Sequence, residues 1–343
     1  MNGATSSFAL ALSGFLAEVE RQLRVVMADP GELTQVAQPL VLAPASKRAR
    51  PMVAWLVGEA FAADPQLVLD AAIAVELVHS ASLLHDDVID HATERRGVPS
   101  ANATWGATMA VLSGDLMLTA ALTRLAPHGP AAMPRAIAAV AEMTRAVGYE
   151  LAHRKDPKVT LAGWRTMAEG KTGALFGLAA ALVAPTLHAD RIDCALRHLG
   201  VAFQIADDVD DFDDGGETTC QDLRDGTPSW PVLVAMSRSP VLDEALRLSW
   251  RLGTDPRLLL PEVLATGALE AARAAIQVEI EAARDLLAPE LERGVPSIVA
   301  LTTWADTLAG NLAGAAALRA SLASAGAARY APTATHPIER GTA

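Results

Sequence analysis

The chain has 343 residues, 51% hydrophobic and only 4% aromatic, and its 28 Lys and Arg against 40 Asp and Glu leave a formal charge of -12. With 20% charged residues and a positive mean hydropathy it is not a disordered chain, and its acidic balance excludes a general attraction to nucleic acid or an anionic membrane surface. Any anionic ligand must therefore be held by a local cationic patch.

Cys194 and Cys220 are too few for a disulfide framework or a thiolate zinc site and point to a reducing, cytoplasmic location. The opening MNGATSSFALALSGF lacks the basic n-region of a signal peptide. The longest apolar run, Gly173 to Leu187, is short and contains Pro185, so neither export nor a membrane span is expected.

Along the chain the hydrophobic period is helical nearly everywhere, as in Val68 to Leu84 and Ala268 to Leu287, and sustained period-two alternation is absent. Breakers at Asp29-Pro30-Gly31, Pro44, Asp64-Pro65, Gly97-Val98-Pro99, His128-Gly129-Pro130, Asp156-Pro157, Gly215-Gly216, Asp255-Pro256 and Gly294-Val295-Pro296 cut this pattern into helix-sized pieces. The expectation is all-α, about ten or more helices in one domain over residues 1–329, with a disordered tail at 330–343. Abundant Ala at interior-type positions lets helices approach closely and leaves room for an apolar channel between them.

Two helices carry the chemistry. Asp86-Asp87-Val88-Ile89-Asp90 ends an apolar run and places Asp86 and Asp90 on one helix face. Asp207-Asp208-Val209-Asp210-Asp211 repeats the device after Leu199 to Ala206. One acidic helix end is an ordinary solvated face, whereas two emerging from core sequence suggest hard cations held between carboxylates. Oxygen-only ligands point to Mg²⁺, an ion that shares its shell with substrate phosphates. Cations accompany the acids: Lys47-Arg48-Ala49-Arg50, Arg95-Arg96 and Lys171-Thr172 suit phosphate recognition, though KRAR alone reads as a solvated loop and RR as a helix-terminal charge pair.

In this order the motifs resemble those of the trans-isoprenyl diphosphate synthase (polyprenyl synthetase) family. Lys47-Arg48-Ala49-Arg50-Pro51 is similar to its GGKRxRP element, with Ala45-Ser46 in place of the glycines. Glu76 to Asp90 resembles its first DDxxD region, followed by Arg95-Arg96-Gly97, Gly114-Asp115, Lys171-Thr172 and Phe203-Gln204 to Asp211. The resemblance implies an isoprenoid synthase fold, a helical bundle around a central cavity, usually as a homodimer. It further implies that Lys47, Arg50, His79 and Arg96 hold isopentenyl diphosphate, while Arg95, Lys171, Thr172 and Gln204 face an allylic diphosphate. Asp86, Asp90 and Asp207 would bind Mg²⁺, with Asp211 close by or acting through water. Asp86, Asp90, Lys171 and Asp207 would carry catalysis by stabilising the departing diphosphate.

The chain departs from the family after its second acidic helix. Gly215 to Leu223 is shortened and lacks one lysine, and Thr227 stands where a second would fall. Each lost charge-assisted contact costs on the order of 1.5–3 kcal/mol if unreplaced. Linear chain elongation is the leading expectation. A class I terpene cyclase, with Phe176, Phe203, Phe212, Trp105 and Trp230 as candidate cation-steering rings, and a non-catalytic partner subunit are the alternatives. Small Ala81 and Ser82, about one turn before Asp86, are expected to line the cavity and leave room for a growing chain.

Overall fold

The computed structural model describes residues 2–43, 46–95, 98–155, 158–213, 220–227 and 229–309. Arg96, residues 215–219 of the shortened segment and the tail at 330–343 lie outside them. The first half of the chain forms α1 (Asn2–Val26), α2 (Glu32–Val41), α3 (Ala49–Ala60) and α4 (Pro65–Ile89). A minimal antiparallel pair follows, β1 (Glu94–Arg95) and β2 (Val98–Pro99), and then α5 (Ala101–Trp105), α6 (Ala107–Leu125) and α7 (Ala132–Ala152). Next come α8 (Leu161–Ala168), a π-helical turn (Glu169–Gly173), α9 (Ala174–Ala181) and α10 (Thr186–Asp213). The remainder is α11 (Gln221–Asp225), α12 (Trp230–Arg238), α13 (Pro240–Leu252), a 3₁₀ turn (Pro256–Leu259), α14 (Leu260–Ala265), α15 (Ala268–Glu292) and α16 (Pro296–Asp306).

Local chemistry explains the boundaries. Asp64 caps α4 by accepting from the amides of Gln66 (3.0 Å) and Leu67 (2.9 Å), and Pro65 occupies the first helical position, where its missing N–H is harmless. Ser100 and Thr160 cap α5 and α8 in the same way.

α4 is apolar on nearly every side from Val68 to Leu84, the pattern of a helix surrounded by others, and it packs against α3, α6 and α9. Among the described residues it is the one helix long and apolar enough to cross a bilayer, yet most of its apolar stretch is buried inside the bundle. The segment beginning at Gly173, the longest apolar run in the sequence, is a short, fully buried helix, α9. α10 runs against α9 and α15, and a main apolar core joins these elements. A smaller one, around Phe212, Leu223, Val232 and Leu246, seats α11 to α14 beside the end of α10.

α10 and the π turn approach each other closely at a pair of glycines. A Cβ on Gly200 would fall 2.5 Å from the Cα of Gly173, and one on Gly173 would fall 3.0 Å from the carbonyl of Arg197. Backbone meets backbone here, so neither side can yield by a rotamer change. Gly200→Ala is therefore expected to lower unfolding stability by about 2–3 kcal/mol through overpacking. Gly14→Ala, on α1 with nothing within 4 Å of its Cβ, should raise it by about 0.5–1 kcal/mol. Chemical denaturation of the two variants checks both signs, and a wild-type midpoint for Gly200→Ala would contradict the contact.

Candidate active site

The acidic end of α4 and the last turns of α10 converge on a cavity of about 440 Å³. Its wall contains Lys47, Arg50, His79, Asp86, Asp90, Arg95, Lys171, Thr172, Gln204 and Asp207. Glu76, Ser82, Leu83, Met143 and Phe203 also line it. Ten candidates separated by up to 160 positions in sequence thus share one space. Of the remaining two, Arg96 lies outside the described residues. Asp211 lies beyond the cavity wall: its carboxylate accepts from the amides of Gln221 (3.0 Å) and Asp222 (3.1 Å), holding the start of α11.

The basic segment divides its labour. Arg48 takes a left-handed backbone conformation (φ 49°) and points inward, where its buried guanidinium bonds Glu20 (2.8 Å), Glu76 and the Val41 carbonyl (2.6 Å). Pinned at Arg48, the segment presents Lys47 and Arg50 on the cavity side, over the rings of Phe203 (5.6 Å) and Phe176 (5.1 Å). Lys47 also lies 3.9 Å from Asp207, a loose and exposed pair of little energetic weight.

Lys171 and Thr172 sit on the π turn. The Lys171 ammonium bonds Glu150 at 2.6 Å, and Thr172 donates to Gln204 (2.7 Å). Gln204 in turn donates to Asp208 (3.0 Å), which also accepts from the Trp230 amide (2.8 Å). This relay fixes the π turn, α10 and the start of α12 relative to one another. Arg95 bonds the buried Asp87 through Nε (2.8 Å) and Nη2 (2.5 Å), and Arg154 holds Asp90 at 2.6 Å.

Electrostatics reflect crowded acids. Burial is the largest influence on Asp86; with Asp90 and Glu150 nearby it outweighs Lys171 and Arg95 and pushes the carboxyl up to about 6. Burial likewise raises Asp207 to about 6, helped by Asp210 and opposed by Lys47 and Arg50. Asp208 rises to about 7, and Asp222 is pushed well above the usual carboxylate range by burial and by Asp208 and Asp211. Burial alone would lower Lys171, but Glu150, Asp86 and Asp222 together raise it, so the lysine stays charged. Acids and cations alternate around the cavity, and burial rather than an excess of acid is what raises its carboxyls.

Several of these residues escape the sequence reading. Glu150 does leave a signal: Ala132, Ala136, Ala139, Met143, Ala146 and Glu150 form the buried stripe of α7 at alternating four- and three-residue spacing, so the acid falls on an apolar register. Asp208 and Glu76 stand inside the quoted motifs but their structural roles, like the presence of Asp222 and Arg154, emerge only from the structure. Ala81 is a correction in the other direction. It is five residues before Asp86, about 140° around the helix, and is buried in the core, while Ser82, four residues before, faces the cavity. Of the five aromatic candidates only Phe203 lines this space. Phe176 and Phe212 are core, Trp230 packs edge-on against Trp164 (4.9 Å), and Trp105 belongs to a separate apolar pocket.

An all-α bundle whose two aspartate-bearing helices face each other across a cationic cavity defines a narrow class of protein. Residues 31–251 match the polyprenyl synthetase family, and the chain belongs to it. It is 30% identical over 280 residues to the octaprenyl diphosphate synthase of Escherichia coli, covering 77% of this chain and 83% of that one. It is 39% identical over 172 residues to the (2E,6E)-farnesyl diphosphate synthase of Mycobacterium tuberculosis, and that match spans about half of each chain, 48%. Among solved structures, a decaprenyl diphosphate synthase from Rhodobacter capsulatus superposes with a TM-score of 0.77 at 27% identity, over 89% of this chain and 98% of that one. A polyprenyl synthase from Caulobacter crescentus, solved with calcium and isoprenyl diphosphate, shares the fold with a TM-score of 0.78 at 24% identity, over 90% of this chain and 98% of that one.

The raised Asp86 yields a signed test. The native carboxyl, near 6, keeps its proton after the unfolded one, near 3.8, has lost it. Metal-free wild type therefore loses stability at this group as pH rises from about 4 to 6. Asp86→Asn removes that loss, so its stability relative to wild type should grow across this window and level off above it. A pH-independent difference in thermal midpoint would contradict the assignment.

Proposed function

We propose that the chain is a Mg²⁺-dependent trans-prenyltransferase that condenses isopentenyl diphosphate with an allylic diphosphate to give a longer linear polyprenyl diphosphate. The observation that carries this reading is the joining of both aspartate helices and the basic segment in one cavity. Lys47, Arg50 and His79, with Arg96, bind isopentenyl diphosphate. Arg95, Lys171, Thr172 and Gln204 face the allylic diphosphate, with Gln204 orienting Thr172 through the relay to Asp208.

The donor set suits a hard cation. Asp86, Asp90 and Asp207 offer only oxygen, and no group of three His, Cys, Asp or Glu side chains forms a closed cage among the described residues. Mg²⁺ prefers such an open arrangement because it retains waters and takes phosphate oxygens as ligands. These three carboxylates would hold it, with Asp211, one turn on, acting through water. When bound, the metal supplies positive charge to the departing diphosphate.

The chain's own residues then perform electrostatics and positioning. Lys171, kept charged by Glu150, faces the diphosphate oxygens as the allylic C–O bond breaks. Lys47 and Arg50 hold isopentenyl diphosphate by its phosphate oxygens so that its double bond forms the new bond to the allylic carbon, and the proton then lost from the isopentenyl unit passes to the released diphosphate. No nucleophilic side chain is required. Leu83, Met143 and Phe203 supply apolar wall that keeps water from the cationic carbon.

The cyclase reading loses support because, of the Phe, Tyr and Trp rings among the described residues, the cavity wall carries Phe203 alone, already beneath Lys47. A homodimer is supported by Val111, Leu112 and Leu116, exposed together on α6, and by Ile137 on α7. The cysteine content supports a cytoplasmic location.

Purified protein with Mg²⁺, labelled isopentenyl diphosphate and allylic diphosphates from dimethylallyl to geranylgeranyl should give linear products of increasing mass. Asp86→Asn and Asp207→Asn should each lower kcat by about 10²–10³, and chelation should abolish turnover. Cyclic hydrocarbon without isopentenyl incorporation would move the protein to the cyclase class.

A further inference from the structure

Neighbouring aspartates on α4 serve different spaces. Asp86 lines the active-site cavity, whereas Asp87, one helical step on, lines a second pocket of about 350 Å³. Val36, Pro39 and Leu40 of α2, with Leu84, form one side of that pocket, and Val98 and Trp105 form the other. Arg95 lines both spaces and stands between them.

Asp87 is the polar anomaly in this wall. Its side chain is buried, and both bonds it accepts from Arg95, from Nε (2.8 Å) and Nη2 (2.5 Å), fall on Oδ1. Oδ2 accepts no hydrogen bond among the described residues. A 1% exposed carboxylate thus brings an unmet acceptor to an otherwise apolar pocket, and such a group calls for a donor.

The surroundings select the donor. Arg95 already neutralises Asp87, so an added cation would face the guanidinium and an anion would face the carboxylate. A neutral hydroxyl donates to Oδ2 without adding charge. The rest of the ligand must be apolar to match Leu40, Leu84 and Trp105. Its size is on the order of ten non-hydrogen atoms, at a liquid-like ~30 Å³ each. Val98 and Trp105 are both exposed, giving the pocket an apolar rim open to solvent.

We propose that this pocket is a second ligand site, taking a small neutral apolar alcohol whose hydroxyl donates to Asp87, and that its occupation weakens diphosphate binding through Arg95. The effect on diphosphate rests on the prenyltransferase reading, in which Arg95 faces the allylic diphosphate; the pocket itself does not. An apolar body over Asp87 removes water from the ion pair and so strengthens it. Arg95 is then held on Asp87 and gives less to phosphate oxygens on its other side.

Titration calorimetry of the full chain with 1-nonanol tests the site, with methyl nonyl ether as the ligand that accepts but cannot donate. The ether should bind about tenfold more weakly, because it leaves Oδ2 unmet. Trp105→Ala removes an exposed wall, and Ala43→Leu fills the pocket from the segment after α2. Each should weaken nonanol about tenfold while leaving Mg²⁺-dependent binding of inorganic diphosphate unchanged. Saturating nonanol should raise the wild-type dissociation constant for inorganic diphosphate about fivefold and then plateau, as direct competition within the active-site cavity would not.

Equal binding of alcohol and ether, or undiminished binding in both pocket variants, would overturn the proposal. So would an unchanged diphosphate affinity at saturation. If wild type takes up no alcohol and Trp105→Ala shifts the oligomeric state, a second copy covers the pocket and the proposal fails. A chain that shows the alcohol effect on diphosphate but forms no elongated product would sink the prenyltransferase reading alone.

Discussion

Carboxylates that repel one another are held together at the edge of a low-dielectric interior, and the rest of the structure follows from that constraint. Asp86, Asp90 and Asp207 line one space, and Glu150, Asp208 and Asp222, from two further helices and the same α10, are close enough to act on them or on Lys171 electrostatically. Placing such charges out of water is unfavourable unless cations or protons compensate. The chain spends its scarce basic residues here: Lys171 on Glu150, Arg95 on Asp87 and Arg154 on Asp90. Burial nevertheless raises Asp86 and Asp207 against the pull of Lys171 and Lys47. Buried acids interleaved with cations are what a site needs if it is to admit metal and diphosphate together.

Holding the acids in place requires a stiff frame, and the helices provide it by different means. α4 is locked by burial on almost every side, so its polar end projects from a fixed rod. α10 gains its position from the glycine contact with the π turn, which brings two backbones closer than any side chain allows. That same turn carries Lys171 and Thr172, so packing density and site geometry are set at one place. On the opposite wall Arg48, sacrificed to a buried network with Glu20 and Glu76, fixes where Lys47 and Arg50 can be. Losing either partner of that network would strand a buried charge, at a cost of about 3–5 kcal/mol.

Much of this was legible in the sequence, for physical reasons that also explain the failures. Helical periodicity, strong caps such as Asp64-Pro65 and the paired aspartate motifs are local signals, and local signals survive in one dimension. The division of labour between Arg48 and its neighbours is different, since it depends on Glu20 and Glu76, which lie 28 residues away on either side. Ala81 and Ser82 look equivalent on paper, yet the 100° step of the helix sends one to the core and the other to the cavity. Glu150 was readable as an acid on an apolar stripe, but its partner Lys171 was not, because that pairing belongs to the tertiary fold.

On the prenyltransferase reading the cavity's buried acids take up divalent cation and diphosphate as one unit. Titration calorimetry of Mg²⁺ with and without inorganic diphosphate, near pH 6 in buffers of differing ionisation enthalpy, addresses it directly. The account predicts weak binding of either component alone, strong mutual enhancement, and release of protons from the raised carboxyls as the metal enters. Diphosphate that binds equally well without Mg²⁺, and with no proton release, would contradict it.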